Sequence, residues 1–203
     1  MIDLALTSFV TLFVIIDPVG LAPIFVALTQ GMEPRSRRAV ALRATGIAAV
    51  ILLIFGLAGE SLLNAVGITM PAFRIAGGLL LFLTALDMLF ERRTERRGSQ
   101  VESTPDPSVF PLAIPLVAGP GAMATIILLI GNHPGDMGAQ LLIFGVMFAV
   151  VAAALGFFLL AGPIERALGK TGITVVTRLL GMLLAALSVQ FVIDGLNDIG
   201  MLD

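Results

Sequence analysis

Six apolar stretches alternate with short polar connections along the chain, at about 4–29, 44–66, 73–90, 109–130, 140–162 and 178–196. Four are long enough to cross a ~30 Å hydrocarbon core as helices. The third and sixth are shorter, bracketed by Arg74 and Asp87 and by Arg178 and Asp194; they span if those ends snorkel. The first and fourth carry breaks. In the first, Ile16-Asp17-Pro18-Val19-Gly20-Leu21-Ala22-Pro23 interrupts about 26 apolar residues, roughly 39 Å as a helix. Pro18 has no N–H and its ring clashes with the carbonyl of Val14, and the residue before a proline is pushed out of the helical region. Asp17 at an N-cap and Pro18 at the first helical position also begin a new helix. In the fourth, Pro115-Leu116-Val117-Ala118-Gly119-Pro120-Gly121 repeats the device, with Gly119 in the place of Asp17 and Pro120 in that of Pro18.

The halves match beyond these breaks. Phe55-Gly-Leu-Ala-Gly59 corresponds to Phe158-Leu-Leu-Ala-Gly162, Gly67-Ile-Thr69 to Gly172-Ile-Thr174, and Arg74, Gly77, Leu79, Leu80, Leu83 and Thr84 to Arg178, Gly181, Leu183, Leu184, Leu187 and Ser188. The separation stays at about 102 to 105 residues throughout. An odd number of spans per half inverts the second half relative to the first. The expected fold is therefore an all-α membrane protein of six transmembrane helices, built as two inverted three-helix repeats with the first helix of each broken at midplane. It is one integral membrane domain over 1–203, with repeat 1 at about 4–92, a polar linker at about 91–108 and repeat 2 at about 109–197.

Composition sharpens this picture. Of 203 residues, 58% are hydrophobic and 13% charged, and the mean hydropathy is +1.04, too apolar for a soluble globule. A net charge of −2 gives no footprint for nucleic acid. Cysteine is absent and the single His133 sits in a Gly/Pro loop, so no metal site is expected. Without Trp or Tyr, Phe and Arg must set the depth of the spans. Arg35, Arg37, Arg38 and Arg43 fall in the first connection, Arg92, Arg93, Arg96 and Arg97 in the third, and Arg166 and Lys170 in the fifth. The positive-inside rule then places 30–43, 91–108 and 163–177 in the cytoplasm and both termini outside. The linker arginines can also meet lipid headgroups.

Broken helices at midplane expose backbone groups that bind ligands. The half-helix from Pro120 presents the N–H groups of Gly121 and Ala122 and a positive dipole end, suited to a carboxylate. Carbonyls freed near Ile16 and Ala118, with Asp17, suit an ammonium or a coupling cation. A zwitterion needs both. The expected substrate site is Asp17, Pro18, Gly20, Gly119, Pro120 and Gly121, with Thr84, Thr125 and Ser188 as hydroxyl contributors. Hydroxyls in membrane helices also bond their own helix, and Asp17 also reads as a simple helix cap. Arg74 and Arg178 are gate or anchor residues, Glu60 being one candidate partner of Arg74.

The signatures Asp17-Pro-Val-Gly-Leu-Ala-Pro-Ile-Phe25, Arg74-Ile-Ala-Gly-Gly-Leu79, Pro115-Leu-Val-Ala-Gly-Pro-Gly121 and Val189-Gln-Phe-Val-Ile-Asp-Gly195 together resemble the MarC family of bacterial inner-membrane proteins over essentially the whole chain. The resemblance implies six spans and a link to neutral amino-acid transporters, with glycine and alanine as suggested substrates. Leu21 departs from the family pattern, standing where many members carry Asn. The function expected is a secondary transporter of a small neutral amino acid in the bacterial inner membrane, working by alternating access, with no cofactor and with coupling to a proton or Na⁺ left open. An exporter or channel for another small polar solute is the alternative. An intramembrane aspartyl enzyme using Asp17 and Asp87, or a structural membrane protein, are further classes; no Ser/His or metal set supports an enzyme, and no P-loop supports an ATP-driven pump. An oligomer is left open.

Overall fold

The structure is a computed structural model that describes residues 1–90 and 106–201. Most of the expected linker lies outside the described residues. Every regular element among them is helical.

α1 (Ile2–Ile16) stops where Pro18 cannot donate to Val14, and α2 (Pro18–Leu28) starts at once. Asp17 between them is left-handed, at φ 53° and ψ 63°. A short polar side chain makes that conformation tolerable. Together the two helices make one span of 27 residues, Ile2–Leu28.

α3 (Pro34–Ala65) has 32 residues, about 48 Å. It begins inside the basic connection, so Arg35, Arg37, Arg38 and Arg43 ride on its first turns instead of a loop. Pro34 at the first helical position explains the early start, since its missing N–H is one the helix would leave unpaired anyway. The Arg37 guanidinium lies 5.2 Å above the Phe25 ring, and Phe25 stacks on Phe158 at 4.7 Å. α4 (Met70–Leu89) has 20 residues, long enough to cross the core.

The second half departs most from expectation. Ser108–Val117 is not a regular α half-helix. Phe110 and Ile114 are extended, the bonds Phe110–Pro111 and Ile114–Pro115 are cis, and the amides of Leu112 and Ala118 reach carbonyls five residues back, at Pro107 and Ala113. Pro111 and Pro115, four apart, each remove a donor that an α-helix would need. α5 (Pro120–Gly131) follows at a bend of 53°. α6 (Met137–Leu159) begins with the Asp136 carboxylate accepting from the Ala139 N–H at 3.0 Å. α7 (Ala161–Asp198) absorbs the expected fifth connection into helix, with a break at Gly169, φ 61°. Its span Thr171–Asp198 is 28 residues, far longer than the stretch between Arg178 and Asp194. Among the described residues, five helices are long and apolar enough to cross a membrane, or up to six if the bent pair counts as one span.

Burial sorts these elements. The apolar window of Ile2–Leu28 is 67% buried, against 28% in α4 and 22% in Thr171–Asp198, and α5 is buried from Ala124 to Ile130. The interrupted spans therefore occupy the interior, where protein can satisfy irregular backbone. Leu57, Leu79, Leu83, Leu141, Leu179 and Leu183 face outward, as a lipid-facing shell requires.

α4 and α7 run antiparallel in close contact. A Cβ on Gly78 would stand 2.7 Å from the Ser188 carbonyl oxygen and 3.1 Å from the Val192 nitrogen, and one on Gly195 would stand 3.1 Å from the Pro71 carbonyl. Because backbone cannot yield as a side chain can, Gly78→Ala should lower stability by about 1–3 kcal/mol. Gly145→Ala, at a helix position with nothing within 4 Å, should be neutral or stabilising by up to ~1 kcal/mol. Thermal melts in detergent measure both, and equal melting temperatures would contradict the close approach.

Candidate functional site

Asp17 is 1% exposed. Its Oδ1 accepts the Gly20 N–H at 3.0 Å, so it caps α2 as its position before Pro18 requires. Glycine at position 20 is what lets the carboxylate fold over the helix end, since a Cβ there would stand 2.2 Å from Asp17 Oδ2. The same point is 3.0 Å from Thr177 Oγ1 on α7. Thr177 is buried at that oxygen and has no hydrogen-bond partner. Sequence reading passed over Thr177, whose only signal is its place beside Arg178.

The second break has the opposite character. Gly119 gives α5 no side-chain cap, leaving the first-turn N–H groups without one. The backbone folds tightly here, with the Pro115 carbonyl oxygen 2.6 Å from where a Gly119 Cβ would stand. The two breaks meet: the Cβ position of buried Gly121 lies 3.5 Å from Ile15 Cγ2, 3.0 Å from Leu81 Cδ2 and 4.0 Å from Thr84 Oγ1. Two elements, α1 and α4, thus converge on the start of α5. Pro18 is buried and Pro120 exposed.

The expected hydroxyls divide. Thr125 is buried beside this point, one turn into α5, and its Oγ1 has no partner. Thr84 is near but donates to the Leu80 carbonyl at 3.0 Å. Ser188 is buried, donates to the Ala185 carbonyl at 2.6 Å and meets Gly78 across the α4–α7 seam.

The charged ends also resolve. Arg74 pairs with Asp198 Oδ2 at 2.5 Å and donates to the Asn132 side chain, not to Glu60, which is exposed on α3. These contacts tie the first turn of α4 to the far ends of α7 and α5. Asp198 and Asn132 lie just outside the apolar stretches, where sequence offers no signal of pairing. Arg178 is exposed, about 20 residues or ~30 Å along α7 from Asp198, so the two arginines stand at opposite ends of the α4–α7 pair. On the face away from Arg74, Arg43 pairs with Asp106 at 2.8 Å, joining α3 to the start of the irregular segment.

Convergent broken helices inside a lipid-facing shell define a polytopic helical membrane protein with a polar break at its centre. The match to known proteins agrees. The family model for the MarC family of integral membrane proteins matches residues 2–200, and the chain belongs to that family. It is 40% identical over 201 residues to a UPF0056 membrane protein of Archaeoglobus fulgidus, covering 94% of this chain and 91% of the relative. It is 35% identical over 196 residues to the UPF0056 inner membrane protein YhgN of Escherichia coli, covering 95% of each. A UPF0056 membrane protein of Aquifex aeolicus is 35% identical, covering 95% of this chain and 92% of the relative. No solved structure matches the chain.

Proposed function

We propose that this protein is a secondary transporter of a small neutral amino acid, glycine or alanine in kind, in the inner membrane of a bacterium. The observation that carries the reading is the meeting of the two breaks, where Gly121 at the uncapped start of α5 lies against Ile15, two residues before the buried Asp17. A carboxylate fits the N–H groups at Gly121 and Ala122, and an ammonium or coupling cation fits the Asp17 side. An ionisable residue inside a membrane domain is by default a functional candidate. The matching halves, with Arg74 and Arg178 at opposite ends, favour an inverted repeat that rocks between two states. Both termini lie outside in this reading, with the basic start of α3 in the cytoplasm. Coupling is to a proton or Na⁺.

Purified protein in liposomes tests the proposal. Saturable uptake of labelled glycine or alanine, with counterflow, is the expected result. Flux without saturation or counterflow would mean a channel, and no flux of either amino acid would remove the substrate assignment.

A further inference from the structure

Four hydroxyls inside the spans satisfy themselves. Thr29 donates to the Phe25 carbonyl, Thr45 to Ala41, Thr84 to Leu80 and Ser188 to Ala185, the usual habit of Ser and Thr in membrane helices. The buried hydroxyls of Ser8, Ser108, Thr125 and Thr177 do not, and of these residues Ser8 and Thr125 are 0% exposed. Buried polar atoms are rarely left so, and each case asks for a ligand or water.

Position relates Ser8 and Thr125. Ser8, Thr11 and Ile15 lie on one face of α1, and Gly121 and Thr125 on one face of α5. Ile15 meets Gly121, so the two faces oppose each other. α2 leads to the Arg37 end of the molecule, so α1 rises from Asp17 toward the other end. α5 rises the same way, from Gly121 to Asn132 beside Arg74. Thr125 stands about 6 Å above Gly121, and Ser8 about 10 Å above Ile15. A polar strip therefore runs up from the break between two otherwise apolar helices, ending beneath the Arg74–Asp198–Asn132 contacts.

We propose that Ser8 and Thr125 line the half of the solute path that leads from the break to the Arg74 face, closed in this conformation, and that their hydroxyls serve a polar solute and its water when the path opens. This rests on the transporter reading and adds a route to it. Ser8 belongs to the path and not to the helix packing.

The natural absence of cysteine makes the test clean. Ser8→Cys and Thr125→Cys should react with a small membrane-impermeant thiosulfonate applied from the Arg74 face, in intact cells and, for the other face, everted vesicles. They should react at least about tenfold faster than Val14→Cys and Ala48→Cys, which are equally buried in apolar surroundings. Equal inertness of all four, or equal reactivity, overturns the path. Ser8→Ala supplies a second readout: it should melt no lower than the parent, because only an unpaired hydroxyl is lost, yet transport more slowly. A lowered melting temperature would instead mean that trapped water uses Ser8 to hold the fold, and would overturn the proposal. Should the parent carry neither glycine nor alanine while Ser8→Cys stays reactive, the substrate assignment fails and the path stands for another polar solute.

Discussion

Asp17→Asn is expected to insert and melt like the parent while losing transport by about tenfold or more, equivalent to ~1.4 kcal/mol. The two effects separate because Asp17 has two jobs. As a cap it accepts the Gly20 N–H from a left-handed backbone. Asn does both nearly as well, being a good N-cap and tolerant of that conformation. What Asn cannot supply is a negative charge or a titratable proton at a buried break. Loss of the charge should therefore leave the helix junction intact, reduce uptake and flatten its dependence on pH. Asp17→Ala is the counterpart. It loses the cap, about 1 kcal/mol, and also places a less tolerant residue in the left-handed region, so it should lower the melting temperature as well as transport. Parallel melts and liposome uptake on the two variants decide the matter. Parental uptake by Asp17→Asn would reduce Asp17 to a cap.

The breaks were the most legible part of this chain, because proline and glycine act through local chemistry that needs no neighbour. Pro18 ends α1 and starts α2 wherever the helix is placed, and Gly119-Pro120 does the same for α5. The family was equally legible, since four signatures occur in order. Less legible was the path of the chain into the second break. Pro111 and Pro115 each signal an interruption, but only the tertiary surroundings decide between a kinked helix and the irregular coil of Ser108–Val117. Helix ends drifted for another reason. Hydropathy marks where lipid begins, whereas α3 and α7 continue past it through Arg35 to Arg43 and through Thr171 to Thr177. Pairing across the molecule was not legible at all. Nothing in the order of residues joins Arg74 to Asp198, or separates the unpaired Ser8 and Thr125 from the self-bonded Thr84 and Ser188.

Gly121→Val tests the other side of the site. A single added carbon is nearly accommodated: the Cβ position is 3.0 Å from a terminal methyl of Leu81, which can swing, and no closer than 3.5 Å to Ile15 Cγ2. Gly121→Ala should therefore cost little, since alanine also favours the helix by up to ~1 kcal/mol over glycine. Valine adds two more methyls at a point already bounded by Ile15, Leu81 and Thr84. Overpacking of that kind costs about 1–3 kcal/mol, a loss that a membrane domain with the rest of its core intact should survive. The transport loss should be far larger than the stability loss, because the methyls occupy the space in front of the first-turn N–H groups where a carboxylate would bind. The expected order of uptake is parent, then Gly121→Ala, then Gly121→Val near background, with all three inserted and melting within several degrees of one another. A valine variant that carries glycine and alanine at the parental rate would mean that the start of α5 packs against α1 and α4 without ever opening to substrate, and the binding site would have to be sought away from both breaks.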